Sequence, residues 1–346
     1  RQFSESIVEN FAVNEISSGV FEYESLINNR FGDFSISNFM LLTAFAKSDE
    51  ITSETFEEFR SNRLIIAQRL AGVSINPDAA TFPDGFGPTN QSVMLPAFLA
   101  AYTGRSAESV TLGAFRDVPI PNWVMKYTGL MRLKWFKDKF RRFSLTHGYR
   151  SSYSINSFRT NLDFDPDFPD ARDQAGNFKN ETLFTNVTLV EQFNPLMRVD
   201  FEMKNSVNIV AEVRKDRALS LSFDNNLLTE VSGFEYIFGF GYRVKDVRFT
   251  TNLDGRRTTL KGDLNLRADL AVRDNITIIR NLDFNNNQIT SGQNIWALKL
   301  NADYALSRNF SAIFYYDHTF SKFKVSTAFP QTTIRSGITL RYTFGN

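Results

Sequence analysis

The sequence predicts an all-β protein, an antiparallel transmembrane β-barrel wall interrupted by one short helical insertion. From about residue 122 onward, polar and apolar residues alternate with a period of two. The candidate strands exceed the usual length of about five or six residues and match the roughly nine to eleven of a tilted membrane strand. Mean hydropathy is −0.26, as expected where every second strand residue is polar.

Composition narrows the classes of protein further. The 346 residues carry 39 basic and 38 acidic side chains, a net charge of +1, whereas nucleic-acid-binding proteins usually show a basic excess or stripe. We therefore expect no nucleic-acid partner. Phe accounts for 35 residues, which suits a large apolar surface with aromatic girdles. The sequence has no Cys, which excludes disulfides and thiolate metal sites.

The first segment, residues 1–46, is predicted to contain two barrel strands, at 3–13 and 33–45. The chain begins on Arg1 with neither an initiator Met nor a signal peptide, although an exported protein is made with one. We therefore expect a mature or internal fragment of a longer polypeptide.

Residues 47–121 break the two-residue period and are predicted to form a helical, extracellular insertion. One helix is expected within 53–72, where Thr55 and Glu58 are spaced as a capping box, and a second within 90–104. The face of the first helix is formed by residues at helical spacing: Phe56, Phe59, Arg63, Ile66 and Leu70. The insertion is either a cap packed over the rim of the barrel or a contact site for a partner or cargo.

Residues 122–346 are predicted to be barrel strands up to the C-terminus, which brings the expected total to about thirteen strands. The clearest alternation lies at 259–273. One face is predicted to contact lipid: Leu260, Leu264, Leu266 and Leu270. The opposite face is predicted to line a hydrated lumen: Lys261, Asp263, Asn265, Arg267 and Asp269.

The connections between these strands are predicted to alternate in length. Short turns are expected at 137–139, 194–196, 272–275 and 307–309. Long loops are expected at 159–181, 247–258, 285–293 and 324–332. Outer-membrane barrels have short turns on the periplasmic side and longer loops outside. The last strand is therefore predicted to leave the C-terminus in the periplasm.

The strand predicted at 207–223 carries Lys215 and Arg217 on its otherwise apolar face. A Lys or Arg facing lipid costs about 2–4 kcal/mol at mid-membrane and little near the interface. Either a bulge re-aims the pair, or this strand extends above the bilayer. The second explanation is favoured because the stretch is longer than a membrane span requires.

The last strand ends in an apolar series that is predicted to act as a C-terminal assembly signal. Its residues alternate with polar ones: Ile338, Leu340, Tyr342 and Phe344. A terminal aromatic on the lipid face resembles the signal by which outer-membrane barrels are recognised for assembly. Here Gly345 and Asn346 follow, so the aromatic is third from last.

The sequence predicts no enzymatic activity, no cofactor and no metal site. The two histidines, His147 and His318, lie within alternating strands and outside any metal-binding motif. The aspartates at 163–173 lack the Gly and Glu that a calcium loop needs at its sixth and twelfth positions. A solvated loop is therefore the better interpretation of that segment.

Seven segments resemble, in order, the C-terminal portion of the SprA (Sov) family, the outer-membrane translocons of the type IX secretion system: LPAFLAAYTG, LGAFRDVPIPNW, VEQFNPL, DRALSLSFDNNLLTE, GQNIWALKLNADYALS, FYYDHTFSK and RSGITLRYTFGN. The resemblance covers most of the chain from about residue 30. It implies one end of a far larger barrel in the bacterial outer membrane, through which folded cargo passes from the periplasm to the cell surface. The largest known barrels, of about 36 strands, belong to this family, and that size is part of what the resemblance implies.

The resemblance also implies partners, but no catalytic residues. They are the rest of the SprA polypeptide, a smaller PorV-like barrel, a plug protein, secreted cargo with C-terminal secretion domains, and outer-membrane lipid. Two alternatives stay open at the level of sequence. One is an outer-membrane nutrient-uptake or porin-type barrel, and the other is a soluble β-rich surface protein.

Overall fold

The computed structural model describes residues 1–49, 51–253, 256–284, 286–305, 310–325 and 328–344. These residues form thirteen strands: β1 (Gln2–Val8), β2 (Phe11–Ser17), β3 (Val20–Ser25), β4 (Asn29–Ser37), β5 (Trp123–Tyr127), β6 (Phe140–Thr160), β7 (Thr182–Met203), β8 (Val207–Ser222), β9 (Leu227–Leu253), β10 (Arg256–Asn281), β11 (Asn287–Ala305), β12 (Phe310–Phe323) and β13 (Gln331–Tyr342). They also form three α-helices: α1 (Glu54–Leu70), α2 (Gln91–Thr103) and α3 (Lys134–Lys139). The predicted β-rich class and the predicted number of strands are confirmed.

Eleven strands form one antiparallel sheet in the order β1-β4-β6-β7-β8-β9-β10-β11-β12-β13, with β5 also paired to β6. The ribbon of β2 and β3 is separate. Within the described residues, β1 pairs only with β4 and β13 only with β12. The sheet is therefore open there, and its outermost strands present free edges.

The first segment differs from the prediction. Four short strands precede residue 38, where two were expected, and residues 38–46 are not part of a strand. The chain leaves the sheet after Ser37, and Leu41–Thr43 form a short 3-10 helix. The cause is the continuous apolar run at 39–42, which has no two-residue period and packs into a core, where Met40 is fully buried.

Two predicted turns are wrong because both lie inside strands. Residues 194–196 belong to β7, where the pairing with β8 shifts between Phe193 and Met197. Pro195 has no N–H for the ladder, and this irregularity accommodates it. Residues 272–275 belong to β10 and pair on both sides, with β9 and with β11.

The loops are also shorter than predicted, except for 159–181, which lies between β6 and β7 as expected. Strands β9 and β10 continue to residues 253 and 256, so most of the loop predicted at 247–258 is a hairpin arm. This hairpin lies at the same end of the sheet as the 204–206 turn, not with the long loops. The turn predicted at 307–309 lies outside the described residues, and residues 137–139 end α3.

Both predicted helices of the insertion are present, and they start at side-chain caps. Ser53, not Thr55, is the cap of α1, and it accepts a hydrogen bond from the Phe56 N–H at 3.3 Å. Asn90 caps α2 and accepts from the Ser92 N–H at 2.9 Å. Ser and Asn are favoured at these positions because the N–H groups of the first helical turn have no partner within the helix.

The insertion spans 38–122 and leaves the sheet midway along β6, not at a rim. Strand β4 pairs with residues 152–159 of β6, and β5 pairs with residues 145–149. The two strands thus occupy one position in the sheet. Strand β4 lies toward the end of the sheet with the 161–181 loop, which we call the upper end, and β5 lies toward the lower end. From this point α2 packs against the sheet, and α1 packs against α2.

Gly104 terminates α2 with a φ of +66°, and a Cβ added there would lie 2.8 Å from the Leu42 Cβ. Gly104→Ala is therefore expected to reduce the free energy of unfolding by about 1–2 kcal/mol, from the left-handed backbone and the displaced Leu42. Gly113→Ala is the matched control, because no atom lies within 4 Å of its added Cβ. Equal thermal unfolding midpoints for the two variants would contradict this account.

Candidate functional site

The sheet has one apolar and one polar face, and the strand register defines them. Directly opposed residues of antiparallel strands lie on the same face. From β8 to β12 the apolar rows match, as in the row Val213, Tyr236, Val272, Trp296 and Phe320. We call this side the apolar face and the opposite side the polar face.

On β8 to β13 the lower part of the apolar face is not covered by any described residue, and we call it the bare band. On β6 and β7 the helix α3 packs on this face, with the Phe136 ring centre 5.0 Å from that of Phe143. On β10 the bare band extends from Val272 to Leu264, about eight residue steps of roughly 3.4 Å. A strand tilt of about 40° reduces the resulting length of roughly 27 Å to roughly 21 Å across the layer. This height is close to the apolar band of about 25 Å on outer-membrane barrels.

Aromatic side chains lie at both edges of the bare band. The upper edge holds Tyr236 and Trp296, both exposed, in one cross-strand row with Phe320. The lower edge holds Tyr242, Tyr304 and Tyr342. Rings with a polar atom are typical of membrane–water interfaces. The middle of the band on β9 to β11 consists of Phe, Leu and Ala. Polar residues interrupt it on β12 and β13: Tyr316, His318 and Ser336.

A polar row separates the bare band from the helix-covered part of the face. Its members are directly opposed across β8 to β12: Lys215, Phe234, Asp274, Asn294 and Lys322. Above this row, α1 and α2 cover the face and share one core with sheet residues that include Leu189, Leu219 and Leu228.

Two buried ion pairs attach the segment 40–49, which we call the strap, to the upper apolar face. The Arg280 side chain is 0% exposed, and its Nε donates to Glu230 at 3.0 Å while another nitrogen donates to the Asp49 carbonyl at 2.7 Å. The Arg217 guanidinium donates to Glu191 at 3.2 Å and to the Thr43 carbonyl at 3.0 Å. Buried charges of this kind persist only when paired.

These contacts resolve the position of Lys215 and Arg217. The register of β8 with β9 is unbroken from Val207 to Ser222, so β8 contains no bulge that re-aims them. Lys215 donates to the Ala44 carbonyl, and its Nζ lies 4.2 Å from the centre of the Phe45 ring. Both cations therefore face the strap and not a bare apolar surface.

The polar face carries a network of ion pairs with both signs interspersed. Arg198 joins Asp200 and Glu212 at 3.1 and 2.9 Å, and Arg273 joins Asp216 at 3.3 Å. One row alternates in sign across four strands: Asp269, Lys299, Asp317 and Arg335. Glu212 is buried, but most of these pairs are partly exposed and add little stability. Their main effect is therefore a hydrated, charge-balanced surface.

The predicted site residues of β10 fall on opposite faces. Leu264, Leu266 and Leu270 lie on the apolar face, opposite residues of β11 that include Ala302 and Leu298. The side chain of Leu260 lies outside what the structure describes. The residues predicted to face the lumen belong to the polar face: Lys261, Asp263, Asn265, Arg267 and Asp269.

Ion pairs hold most of this second set. Arg267 Nε donates to Asp269 at 2.7 Å, and Arg243 Nε donates to Asp263 at 3.0 Å. Lys261 lies 3.0 Å from Asp246. The sequence pattern predicted the shared face but not these partners, since Arg243 and Asp246 are on the neighbouring strand.

The predicted assembly signal lies at the free edge of the sheet. Ile338, Leu340 and Tyr342 are exposed on the apolar face of β13. Phe344 follows the strand, is 90% exposed, and its ring centre lies 4.9 Å from that of Tyr342. The aromatic end of the chain is thus continuous with the bare band.

The acidic loop at 163–173 is tied to the insertion and to itself. Arg172 binds Asp84 through two hydrogen bonds of 2.5 and 2.6 Å, and its guanidinium lowers the pKa of the Asp84 carboxyl. Asp173 and Asp165 accept hydrogen bonds from backbone N–H groups of the same loop, at Asn177 and Asp167. These carboxylates therefore stabilise the loop.

Neither histidine has a partner that indicates catalysis. His147 Nδ1 lies 2.6 Å from the Leu196 carbonyl and its ring packs near Trp123 and Phe193, whereas His318 packs near Tyr316. Within the described ranges, His, Asp and Glu form no group of three that could hold a metal ion. No helix in the described part of the chain is long and apolar enough to cross a membrane.

The buried pairs Arg280–Glu230 and Arg217–Glu191 were missed at the level of sequence. In the sequence, the only sign of these pairs is that charged residues occupy positions where the two-residue pattern is otherwise apolar. Glu230 and Arg280 lie at such positions on β9 and β10. A charged residue in an apolar phase indicates either a covered site or an interface.

No protein-family model matches this chain, and no curated protein matches it.

Arg280→Ala is expected to destabilise the protein by about 3–5 kcal/mol, because Glu230 would remain buried without its cation. The double variant Arg280→Met with Glu230→Leu should recover most of this loss. Thermal unfolding and limited proteolysis of the strap measure both effects.

The matched control is Arg273→Ala on the polar face, where Asp216 remains partly exposed and the cost should be about 1 kcal/mol or less. If Arg273→Ala destabilises the protein as much as Arg280→Ala does, burial of the pair is not the cause.

Proposed function

We propose that this chain is part of the wall of a protein-conducting channel in the bacterial outer membrane. In this proposal the channel belongs to the type IX secretion system and passes folded cargo from the periplasm to the cell surface. The chain acts as a passive conduit without enzymatic activity. The observation that carries the proposal is the bare apolar band opposed to a polar face of interspersed charges and ion pairs on the same strands.

The bare band supports the membrane part of the proposal. In water, a contiguous apolar surface of this size is a liability, whereas lipid would cover it. Its height and its two aromatic edges agree with a bilayer. The polar row with Lys215 and Lys322 then lies at the level of the lipid headgroups.

The polar face supports the conduit part. Its charges balance locally through pairs such as Arg198–Glu212, so cargo of either sign meets no strong single-sign field. A hydrated surface of this kind suits proteins of varied sequence that must pass without adhering.

The open sheet supports a large ring completed by further strands. A strand tilted about 40° occupies roughly 6 Å of circumference. About thirteen such strands closed on themselves would give a diameter near roughly 26 Å, most of it filled by side chains. About 36 would give roughly 70 Å, enough for a folded 100-residue domain with a radius of gyration of about 13 Å. The free edges of β1 and β13 are the places where strands of the remaining SprA polypeptide would pair.

The remaining partners follow from the resemblance to the SprA family. A PorV-like small barrel, a plug protein and cargo with C-terminal secretion domains would contact the assembled channel. The end of the sheet with the 204–206 turn and Tyr342 would face the periplasm. The insertion and the 161–181 loop would then be on the extracellular side.

Opposite faces of β10 provide a direct test. Leu266→Arg places a charge in the bare band and should block assembly into the outer membrane, at a cost of about 2–4 kcal/mol. Arg267→Leu, one residue away on the polar face, should assemble normally. Heat-modifiable mobility of outer-membrane fractions and secretion of a folded fluorescent cargo with a C-terminal secretion domain measure the two variants.

Equal assembly of both variants would contradict the lipid-facing assignment. Normal assembly of the wild type without passage of folded cargo, but with passage of small solutes, would indicate an uptake or porin-type barrel instead. A monodisperse protein in water without detergent would exclude the membrane wall.

A further inference from the structure

A polar cavity of about 180 Å³ opens on the apolar face beneath the strap. One water molecule in the liquid occupies about 30 Å³, so a small polyatomic group can enter. The charged residues around it are Lys215, Arg217, Glu230 and Asp274. Phe234, in the polar row directly above the bare band, is part of its apolar lining.

The carboxylates of this cavity are already neutralised. Glu230 accepts from Arg280 at 3.0 Å and from the Ser48 hydroxyl at 2.8 Å. Asp274 lies 2.7 Å from the Lys324 ammonium. Both carboxylates thus already have a cationic partner.

The two cations on β8 retain unused donors. Arg217 is paired with Glu191, but its Nε–H has no hydrogen-bond partner although the side chain is only 6% exposed. The Lys215 ammonium has three N–H donors and contacts the Ala44 carbonyl and the Phe45 ring. Within the described residues, no carboxylate lies within 4.0 Å of Lys215. Counted together, four cations face three carboxylates: Lys215, Arg217, Arg280 and Lys324 against Glu191, Glu230 and Asp274.

The surface below the cavity is suited to an acyl chain. Tyr236 and Phe238 continue from Phe234 down the bare band, and both are exposed. Their cross-strand neighbours are Val213 and Ala211 on β8 and Val272 and Leu270 on β10. An acidic group bound at Lys215 would thus be joined to an apolar track of membrane height.

We propose that this cavity binds the phosphate group of an anionic lipid in the extracellular leaflet, with the acyl chains lying along Phe234, Tyr236 and Phe238. The phosphate oxygens would accept charge-assisted hydrogen bonds from Lys215 Nζ, and the positive charge of Arg217 beside it would add to the attraction. Basic pockets at membrane interfaces recognise lipid headgroups by this chemistry. The inference rests on the proposed function, since it places the polar row at headgroup level.

The test uses the purified protein in a neutral maltoside detergent, with native mass spectrometry and thermal shift as readouts. Three probes separate the contributions: dioleoyl phosphatidic acid, diolein with the same chains and no phosphate, and inorganic phosphate without chains. Phosphatidic acid should bind about tenfold or more tightly than either of the others.

Two variants should abolish this preference. Lys215→Met removes the main donor and should weaken phosphatidic acid about tenfold. Ser232→Glu places a carboxylate on the cavity wall, where it can neutralise Lys215 without removing an existing hydrogen bond. It should retain the fold and lose the lipid.

The matched control is Lys322→Met, because Lys322 lies in the same polar row but outside the cavity. An equal loss of binding in this variant, or unchanged binding in both Lys215→Met and Ser232→Glu, would overturn the proposal. Inorganic phosphate binding as tightly as phosphatidic acid would also overturn it. Lipid binding in detergent is measured without assembly or secretion, so its failure is distinct from a failure of the channel proposal.

Discussion

The structure depends on one constraint, the strand register that aligns β8 to β13 across the bare band. On β10 this aligned stretch lies between the register shifts at Gly262/Leu264 and Thr277/Ile278. Side chains alternate with a period of two, so a slip by one residue would move a whole strand's apolar set to the opposite face. The unbroken pairing of β8 with β9 and of β11 with β12 keeps Val213, Tyr236, Trp296 and Phe320 in one row. The same register places Asp269, Lys299, Asp317 and Arg335 together on the other side. Both surfaces are consequences of a single alignment.

The apolar face is packed against the insertion helices above the polar row and, among the described residues of β8 to β13, is uncovered below it. Above the polar row it is a protein core, in which Leu219 and Leu228 pack with the insertion helices. Below the row, on β8 to β13, it has no covering residue within the described chain. The buried pairs Arg280–Glu230 and Arg217–Glu191 lie above the polar row, where the strap covers the sheet. Stability alone does not explain them, because an apolar pair of the same volume would hold the strap as well or better. We attribute them to orientation, because each guanidinium also binds a particular strap carbonyl, Asp49 or Thr43.

Much of the fold could be predicted from the sequence because alternation is a local signal. Leu264 and Arg267 were placed on opposite faces from spacing alone, and both insertion helices were recognised from their periodicity and ends. The turns at 194–196 and 272–275 were wrong because Pro195 and the Arg273–Asn275 stretch resemble turn residues. In the sheet, a register shift accommodates Pro195. Arg273 and Asp274 stay within β10 and form ion pairs with Asp216 and Lys324 on other strands or loops. The position of the insertion midway along β6 depends on pairing between distant segments, which no local pattern contains.

The division of one sheet position between β4 and β5 has a consequence for the order of assembly. The edge of β6 is completed by residues 31–37 above and 123–127 below, which are separated in sequence by the whole insertion. A continuous strand can begin to pair with its neighbour at any residue. Here, by contrast, β4 and β5 must first be brought close to each other before both can pair with β6. The entropy of closing such a long loop falls when its interior is already compact. We therefore expect α1 and α2 to associate before this edge forms, so that the helices act as an internal template for the sheet edge on which they rest.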